Sequence, residues 1–229
     1  KFLGTAANGG IPQIDCRCLN CRSKENIRKR SCILIEIGRK KIIIDCGPDF
    51  HSQLIESNLR LQDISGIVIS HLHWDHCAGL FELSSGKTLN VPVLVHKKIR
   101  EQLKSNATLN FIFKNKWAKF SKIDGFNIKF IKINHDPNFP TFAIKISHHR
   151  KQILIATDIF KLNKGFLSEA RKSDLIIFDA TFLNETEHWH LSIKESTPIL
   201  KKLNKKIIFT HINHSEDCDK VSKFLNKFG

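Results

Sequence analysis

The 229-residue sequence contains neither methionine nor tyrosine. It also has no uninterrupted apolar stretch longer than about four or five residues, far short of the roughly 20 that a bilayer-crossing helix needs. A transmembrane span is therefore excluded as an expectation, and no membrane partner is foreseen. No Pro/Gly/Ser-rich linker and no internal repeat divides the chain, so a single domain over residues 1–229 is expected, long enough to bury a substantial core. The opening residues, Lys1-Phe-Leu-Gly-Thr-Ala6, lack the apolar core and cleavage pattern of a secretory signal and read as the approach to a first strand. A cytoplasmic location is the expectation.

Seven cysteines, an odd number, give no ordinary disulfide framework, and three of them crowd into Cys16-Arg-Cys18-Leu-Asn-Cys21. Thiolates at that spacing point to a reduced compartment and a bound metal. Cys32, Cys46, Cys77 and Cys218 are scattered, and the first two lie in or beside apolar strands, where a small buried hydrophobe is the simpler role. What the chain has in excess is positive charge: +15, with a pI near 9.6. This favours a phosphate-bearing substrate or a nucleic-acid surface over a neutral ligand. The lysines are spread along the chain, as at Lys40-Lys41, Lys97-Lys98, Lys201-Lys202 and Lys205-Lys206, so charge alone does not single out nucleic acid.

The most informative run is Ser70-His71-Leu72-His73-Trp74-Asp75-His76, directly after the apolar stretch Gly66-Ile-Val-Ile69. In an extended segment side chains alternate with period two, so His71 and His73 point the same way and reach one ion. Asp75 and His76, past a bend, are free to reach a second. Burying so many titratable groups without a cation would be costly.

Hydrophobic patterning places strands at residues 32–37 and 41–45, joined by the turn 38–40, and at 66–70, 93–95, 127–133, 141–146, 152–156, 175–179 and 206–210. Helices are expected at 49–58, 77–84, 165–172, 191–203 and 218–227. Ser192 and Glu195 form a capping-box pattern after Glu187-His188-Trp189-His190. Residues 99–122 are basic and aromatic, with Phe111, Phe113, Trp117 and Phe120, and read as a core helix or a lid. Periodicity alone supports an α/β or α+β class.

The HxHxDH pattern resembles the signature of the metallo-β-lactamase superfamily, and the resemblance runs along nearly all of the chain. It implies a four-layer αββα sandwich and a two-metal site. His135, Asp158 and His211, each just past an apolar strand, match the later metal motifs of that superfamily in order. Carried over, His71, His73 and His135 would hold one divalent ion and Asp75, His76 and His211 the other, with Asp158 bridging. Zn²⁺ or Mn²⁺ is expected, with Fe²⁺ and Ni²⁺ also suited to such ligands. Asp45, in Ile44-Asp45-Cys46-Gly47, is similar to the second motif, whose carboxylate orients a ligating histidine.

CxCxxC together with Thr210-His-Ile-Asn-His214 resembles the phosphonate-pathway cyclic-phosphate phosphodiesterases. That implies a zinc-binding insertion at about residues 12–30, with Cys16, Cys18, Cys21 and His214 holding one structural zinc. His190 aligns with a histidine that these enzymes and the tRNA 3′-processing endonucleases place beside the scissile phosphate, which implies a proton donor; His188 is the weaker choice. The string Phe2 to Gln13 looks like pyrroloquinoline quinone (PQQ) biosynthesis B proteins, a group that usually has a degraded HxHxDH, intact here. The leading expectation is a dinuclear metal-dependent phosphodiesterase, cleaving small cyclic or diester phosphates through a metal-activated hydroxide, with Asp75 and His190 as its catalytic residues. The alternatives are a PQQ B-like role in cofactor synthesis and a tRNA 3′-processing endonuclease. A phosphorylated small molecule is the expected partner, nucleic acid is less favoured, and a homodimer is an open expectation.

Overall fold

The computed structural model describes residues 1–84, 91–105, 122–185 and 189–227. Among the described residues, eleven strands form two sheets. The first contains β1 (Phe2–Gly4), β2 (Cys32–Ile37), β3 (Lys40–Ile44), β4 (Gly66–Ile69) and β5 (Val93–Val95), adjacent in that order. The second contains β6 (Lys122–Ile123), β7 (Phe126–Ile133), β8 (Thr141–His148), β9 (Lys151–Ala156), β10 (Leu175–Asp179) and β11 (Lys206–Thr210), again neighbours in sequence order. Both sheets are mixed. β1 to β3 pair antiparallel and β3 to β5 parallel; β6 to β9 pair antiparallel and β9 to β11 parallel.

The helices are α1 (Leu19–Arg22), α2 (Phe50–Glu56), α3 (Trp74–Cys77), α4 (Lys97–Ser105), α5 (Lys164–Arg171), α6 (Ile193–Lys201) and α7 (Cys218–Asn226). Between the sheets lies a shared core in which Ile33, Ile43, Ile67 and Val68 meet Phe126, Ile128, Ile144 and Ile177. Ile42, Ile43 and Ile44 of β3 and Ile67, Val68 and Ile69 of β4 run apolar without alternation because they are covered on both faces, and all six are buried. On the far side of the second sheet, Leu154, Ile176 and Phe178 pack against Phe166 and Ala170 of α5 and Leu200 of α6. Phe50 and Leu54 of α2 and Ile99 and Leu103 of α4 cover the first sheet. The result is two mixed sheets flanked by helices.

Most expected elements lie within a residue or two of their read positions. The stretch 77–84 differs: an α-helical turn begins earlier, at Trp74, and passes into a 3₁₀ segment at Ala78–Ser84. Asp75 and His76 thus lie on the helix rather than before it. The cause is a close chain crossing. Cys46 N–H donates to the His76 carbonyl and Gly79 N–H to the Cys46 carbonyl, both at 2.8 Å. A Cβ on Gly47 would come within 2.0 Å of the Asp75 carbonyl oxygen, so glycine alone lets the two segments pass. The expected helix at 191–203 begins at Ile193, because Ser192 caps it reciprocally with Glu195. The aromatic segment 106–121, and Glu187 and His188, lie outside the described residues. Among those described, no helix is long and apolar enough to cross a membrane.

Candidate metal centre

Strands β3, β4, β7, β9, β10 and β11 end on loops that bear chemistry. Asp45 follows β3, His71, His135 and Asp158 come two residues after β4, β7 and β9, Asp179 ends β10, and His211 follows β11. Asp45 and His211 take left-handed backbone conformations, φ 59° and 66°, uncommon for residues bearing a Cβ and typical of functional loops.

These residues converge. His71, His73, His135 and Asp158 present ligand atoms that lie within 4.8 Å of one another, and so do Asp75, His76 and His211. His73 Nδ1 is 3.2 Å from His135 Nε2, and His76 Nε2 is 3.2 Å from His211 Nε2. Asp158 lies between the groups: Oδ2 is 3.1 Å from His76 Nε2, and Oδ1 is 3.5 Å from His211 Nε2 and 3.7 Å from His135 Nε2. The structure brings together all seven residues that the sequence singled out, with His71, Asp75, His76, His135, Asp158 and His211 buried.

Each inward-facing imidazole is anchored through its other nitrogen, which fixes tautomer and ring angle. His76 Nδ1 donates to Asp45 Oδ2 at 2.8 Å, and His71 Nδ1 to Ser70 Oγ at 2.9 Å. Ser70 Oγ donates in turn to Asp45 Oδ2 at 2.8 Å. His73 Nε2 donates to Asp136 Oδ2 at 3.1 Å, His135 Nδ1 to the Trp189 carbonyl at 2.7 Å, and His211 Nδ1 to Thr181 Oγ1 at 2.8 Å. Of these anchors, only Asp45 stood out in the sequence. Asp179 had a signal of the same form, since Ile-Ile-Phe-Asp179 ends a strand just as Ile-Ile-Ile-Asp45 does.

His190 lies beside this cluster. Its Nδ1 donates to Asp179 Oδ2 at 2.6 Å, and its Nε2 is 3.9 Å from Asp158 Oδ1. Burial works against its charged form, but the Asp179 carboxylate beside it raises the His190 pKa to about 9. Burial likewise favours neutral Asp75 and Asp158, yet the surrounding histidines hold both below the usual carboxylate range. Burial and the charge of His76 push His71 well below the usual imidazole range.

The donor chemistry fits divalent cations. His71 Nε2 is buried without a hydrogen-bond partner, an arrangement that costs about 1–3 kcal/mol. Zinc bound tetrahedrally at about 2.0–2.1 Å requires nitrogens about 3.3–3.4 Å apart, close to the 3.2 Å found between the paired rings. The open side is a cavity of about 320 Å³ lined by Trp74, Asp75, Phe182, Trp189 and His190 among others.

A second cluster lies near the C-terminal end of β11. Cys16, Cys18 and Cys21 surround His214, with each sulfur 3.3 to 3.6 Å from Nδ1. These are the edge lengths of a tetrahedron with arms of about 2.0–2.3 Å. His214 pulls the Cys18 thiol down to about 6. Asn20, on α1, donates to the carbonyls of His214 and Glu216 at 2.8 and 2.6 Å, joining the cysteine loop to the segment after His211.

Comparison with known proteins agrees with this architecture. The profile of the family described as Beta-lactamase superfamily domain matches residues 40–212. Coenzyme PQQ synthesis protein B of Acinetobacter baumannii (strain AYE) is 27% identical over 235 residues, covering 86% of this chain and 77% of the relative. An octanoyltransferase of Porphyromonas gingivalis is 34% identical over 85 residues, covering 36% of this chain, which spans only 17% of that longer protein's length. Among solved structures, a diphosphatase of the PhnP family superposes with a TM-score of 0.81 at 24% identity, over 94% of this chain and 86% of the other. Zn²⁺-bound PqqB from Methylobacterium extorquens also gives 0.81, at 18% identity, over 100% and 95%. With its two-sheet frame, its HxHxDH loop and this match across most of its length, the chain belongs to the metallo-β-lactamase superfamily.

Proposed function

We propose that this protein is a metal-dependent hydrolase, specifically a phosphodiesterase acting on small cyclic or diester phosphates. The observation that carries the reading is the pair of imidazole clusters with nitrogens 3.2 Å apart, joined by one buried carboxylate, at the floor of an open cavity. In this reading His71, His73 and His135 hold one divalent ion and Asp75, His76 and His211 the other, with Asp158 shared. Imidazole-rich ligation suits Zn²⁺, and Mn²⁺, Fe²⁺ and Ni²⁺ are alternatives set by availability. Two such ions supply Lewis-acid polarisation of a phosphoryl oxygen and a lowered pKa for bound water.

The chain's own residues do the rest. His190 Nε2 faces the cluster while its Nδ1 is held by Asp179, so the imidazolium can give its Nε2 proton to the departing oxygen. Asp179 is itself fixed by the N–H groups of Ile159 and Thr181 and by the Thr181 hydroxyl. Asp75 lines the cavity as well as joining the second group, so its carboxylate would help hold the second ion at the face open to substrate. Cys16, Cys18, Cys21 and His214 are assigned one structural zinc, on the donor set and its tetrahedral edges.

The test combines elemental analysis with turnover. Protein loaded with Mn²⁺ or Zn²⁺ should hydrolyse bis(p-nitrophenyl) phosphate, and Asp75→Ala should abolish this while the circular dichroism spectrum is retained. Turnover that survives the substitution would overturn the dinuclear assignment. A second reading, a role in cofactor synthesis, draws on the similarity to PQQ synthesis protein B. The complete His71, His73, Asp75, His76 set favours hydrolysis, and oxygen consumption with a quinone precursor, without phosphodiester turnover, would reverse that preference.

A further inference from the structure

Two tryptophans stand at the mouth of the cavity, Trp74 at 52% exposure and Trp189 at 48%. Neither ring is required by the ligand set: position 74 is the unspecified residue of HxHxDH, and Trp189 serves His135 only through its backbone carbonyl. Both are nevertheless braced. The Arg30 guanidinium carbon lies 4.9 Å from the Trp74 ring centroid, and Arg30 is itself held by Asp49 Oδ1 at 3.0 Å and the Asn8 carbonyl at 2.8 Å. Trp189 meets Phe160 edge to face, with centroids 5.5 Å apart. A large exposed ring that is also held in place has already given up its rotational freedom, which lowers the entropy cost of binding a flat partner. Polar groups adjoin the rings. Asn213 lines the cavity, and its side-chain oxygen is taken by Ser215 N–H and Oγ at 3.0 and 2.9 Å, which leaves its NH₂ group as a donor.

We propose that Trp74 and Trp189 are specificity-determining stacking surfaces for a planar heteroaromatic ring carried by the substrate. The inference rests on the phosphodiesterase reading, and narrows it to phosphate esters of a nucleoside rather than of a simple sugar or alkyl alcohol. The phosphate goes to the imidazole and carboxylate floor, and the base goes to the indole rim. A cavity of about 320 Å³ lies at the small end of ligand sites, about 300–1,000 Å³, a scale that suits one nucleotide unit.

The test uses two cyclic diesters that differ only in the base: adenosine 2′,3′-cyclic phosphate and methyl riboside 2,3-cyclic phosphate. For metal-loaded protein, kcat/KM should favour the adenosine ester tenfold or more, equivalent to about 1.4 kcal/mol and within the range of base stacking on aromatic side chains. That ratio should collapse toward one in Trp74→Leu and Trp189→Leu and be largely kept in Trp189→Phe. A binding readout runs in parallel: adenosine 5′-monophosphate should quench the tryptophan fluorescence and ribose 5-phosphate should not. Equal turnover of both esters overturns the stacking proposal and leaves the phosphodiesterase standing. Turnover of neither ester counts against the phosphodiesterase, and the fluorescence titration then decides the stacking question: quenching by the nucleotide alone supports it, and equal or absent quenching ends it.

Discussion

Asp179 Oδ2 and His190 Nδ1 are 2.6 Å apart, and the other oxygen of the same carboxylate receives the Thr181 hydroxyl, which in turn accepts from His211 Nδ1. One aspartate thus orients one histidine directly and a second through a hydroxyl. Asp45 repeats the device on the first sheet, holding His76 directly and His71 through Ser70. Both carboxylates lie at strand ends, so each sheet brings its own anchored pair of imidazoles to the shared cluster, the first pair buried beneath the cavity and the second lining it.

His190 can be separated from the ligands by leaving-group dependence. General-acid help matters most when the departing oxygen is basic, where it contributes about 10²–10⁴-fold. His190→Ala should therefore slow an alkyl phosphodiester at least 100-fold more than it slows a p-nitrophenyl one, as read from kcat on the two substrates. Equal losses would argue for a purely structural role.

Asp45 touches no cavity atom, so its removal tests positioning. Asp45→Asn should weaken binding of the active-site ions by about 10–100-fold, as is usual when a carboxylate behind a ligating histidine is lost. Competition with a chelator would measure this. Affinity equal to that of the native protein would show that the Asp45 to His76 bond is dispensable.

The cysteine cluster makes a separate prediction. Cys18→Ser should lower the zinc content by one ion per chain and reduce Tm, since the cluster ties residues 16–21 to His214 across 193 to 198 positions of sequence. Zinc stoichiometry unchanged by the substitution would remove the structural assignment.

Stability at acid pH has its own test, far from the metal groups. Hydrogen bonds from Lys129 and Lys145 hold Glu169 down to about 2, against an ordinary value of 4.5. A depressed carboxyl stabilises the fold above its unfolded pKa, and this contribution is lost as pH falls from 4.5 toward about 2. Glu169→Gln should accordingly lower Tm at neutral pH, by about 2–4 °C for a loss of about 1 kcal/mol in a chain of this size. The gap should narrow below about pH 4.5, and a gap independent of pH would show that the ion pairs contribute nothing.

What the amino-acid order determined was local. Apolar runs with β-branched residues marked the strands, the period-two spacing of His71 and His73 marked a shared ligand face, and Ser192 with Glu195 marked a helix start. The strand-end positions of His135, Asp158 and His211 could be read once the family pattern was seen. Their convergence was decided only by the tertiary structure, because it depends on two sheets folding face to face and bringing their carboxyl-end loops to one rim. The partners behind the histidines were hidden for the same reason: Asp136 lies 63 residues from His73, and the Trp189 carbonyl 54 residues from His135. A hydrogen bond across such a gap leaves no periodicity in the chain; it arises when buried polar atoms, cut off from water, must find one another.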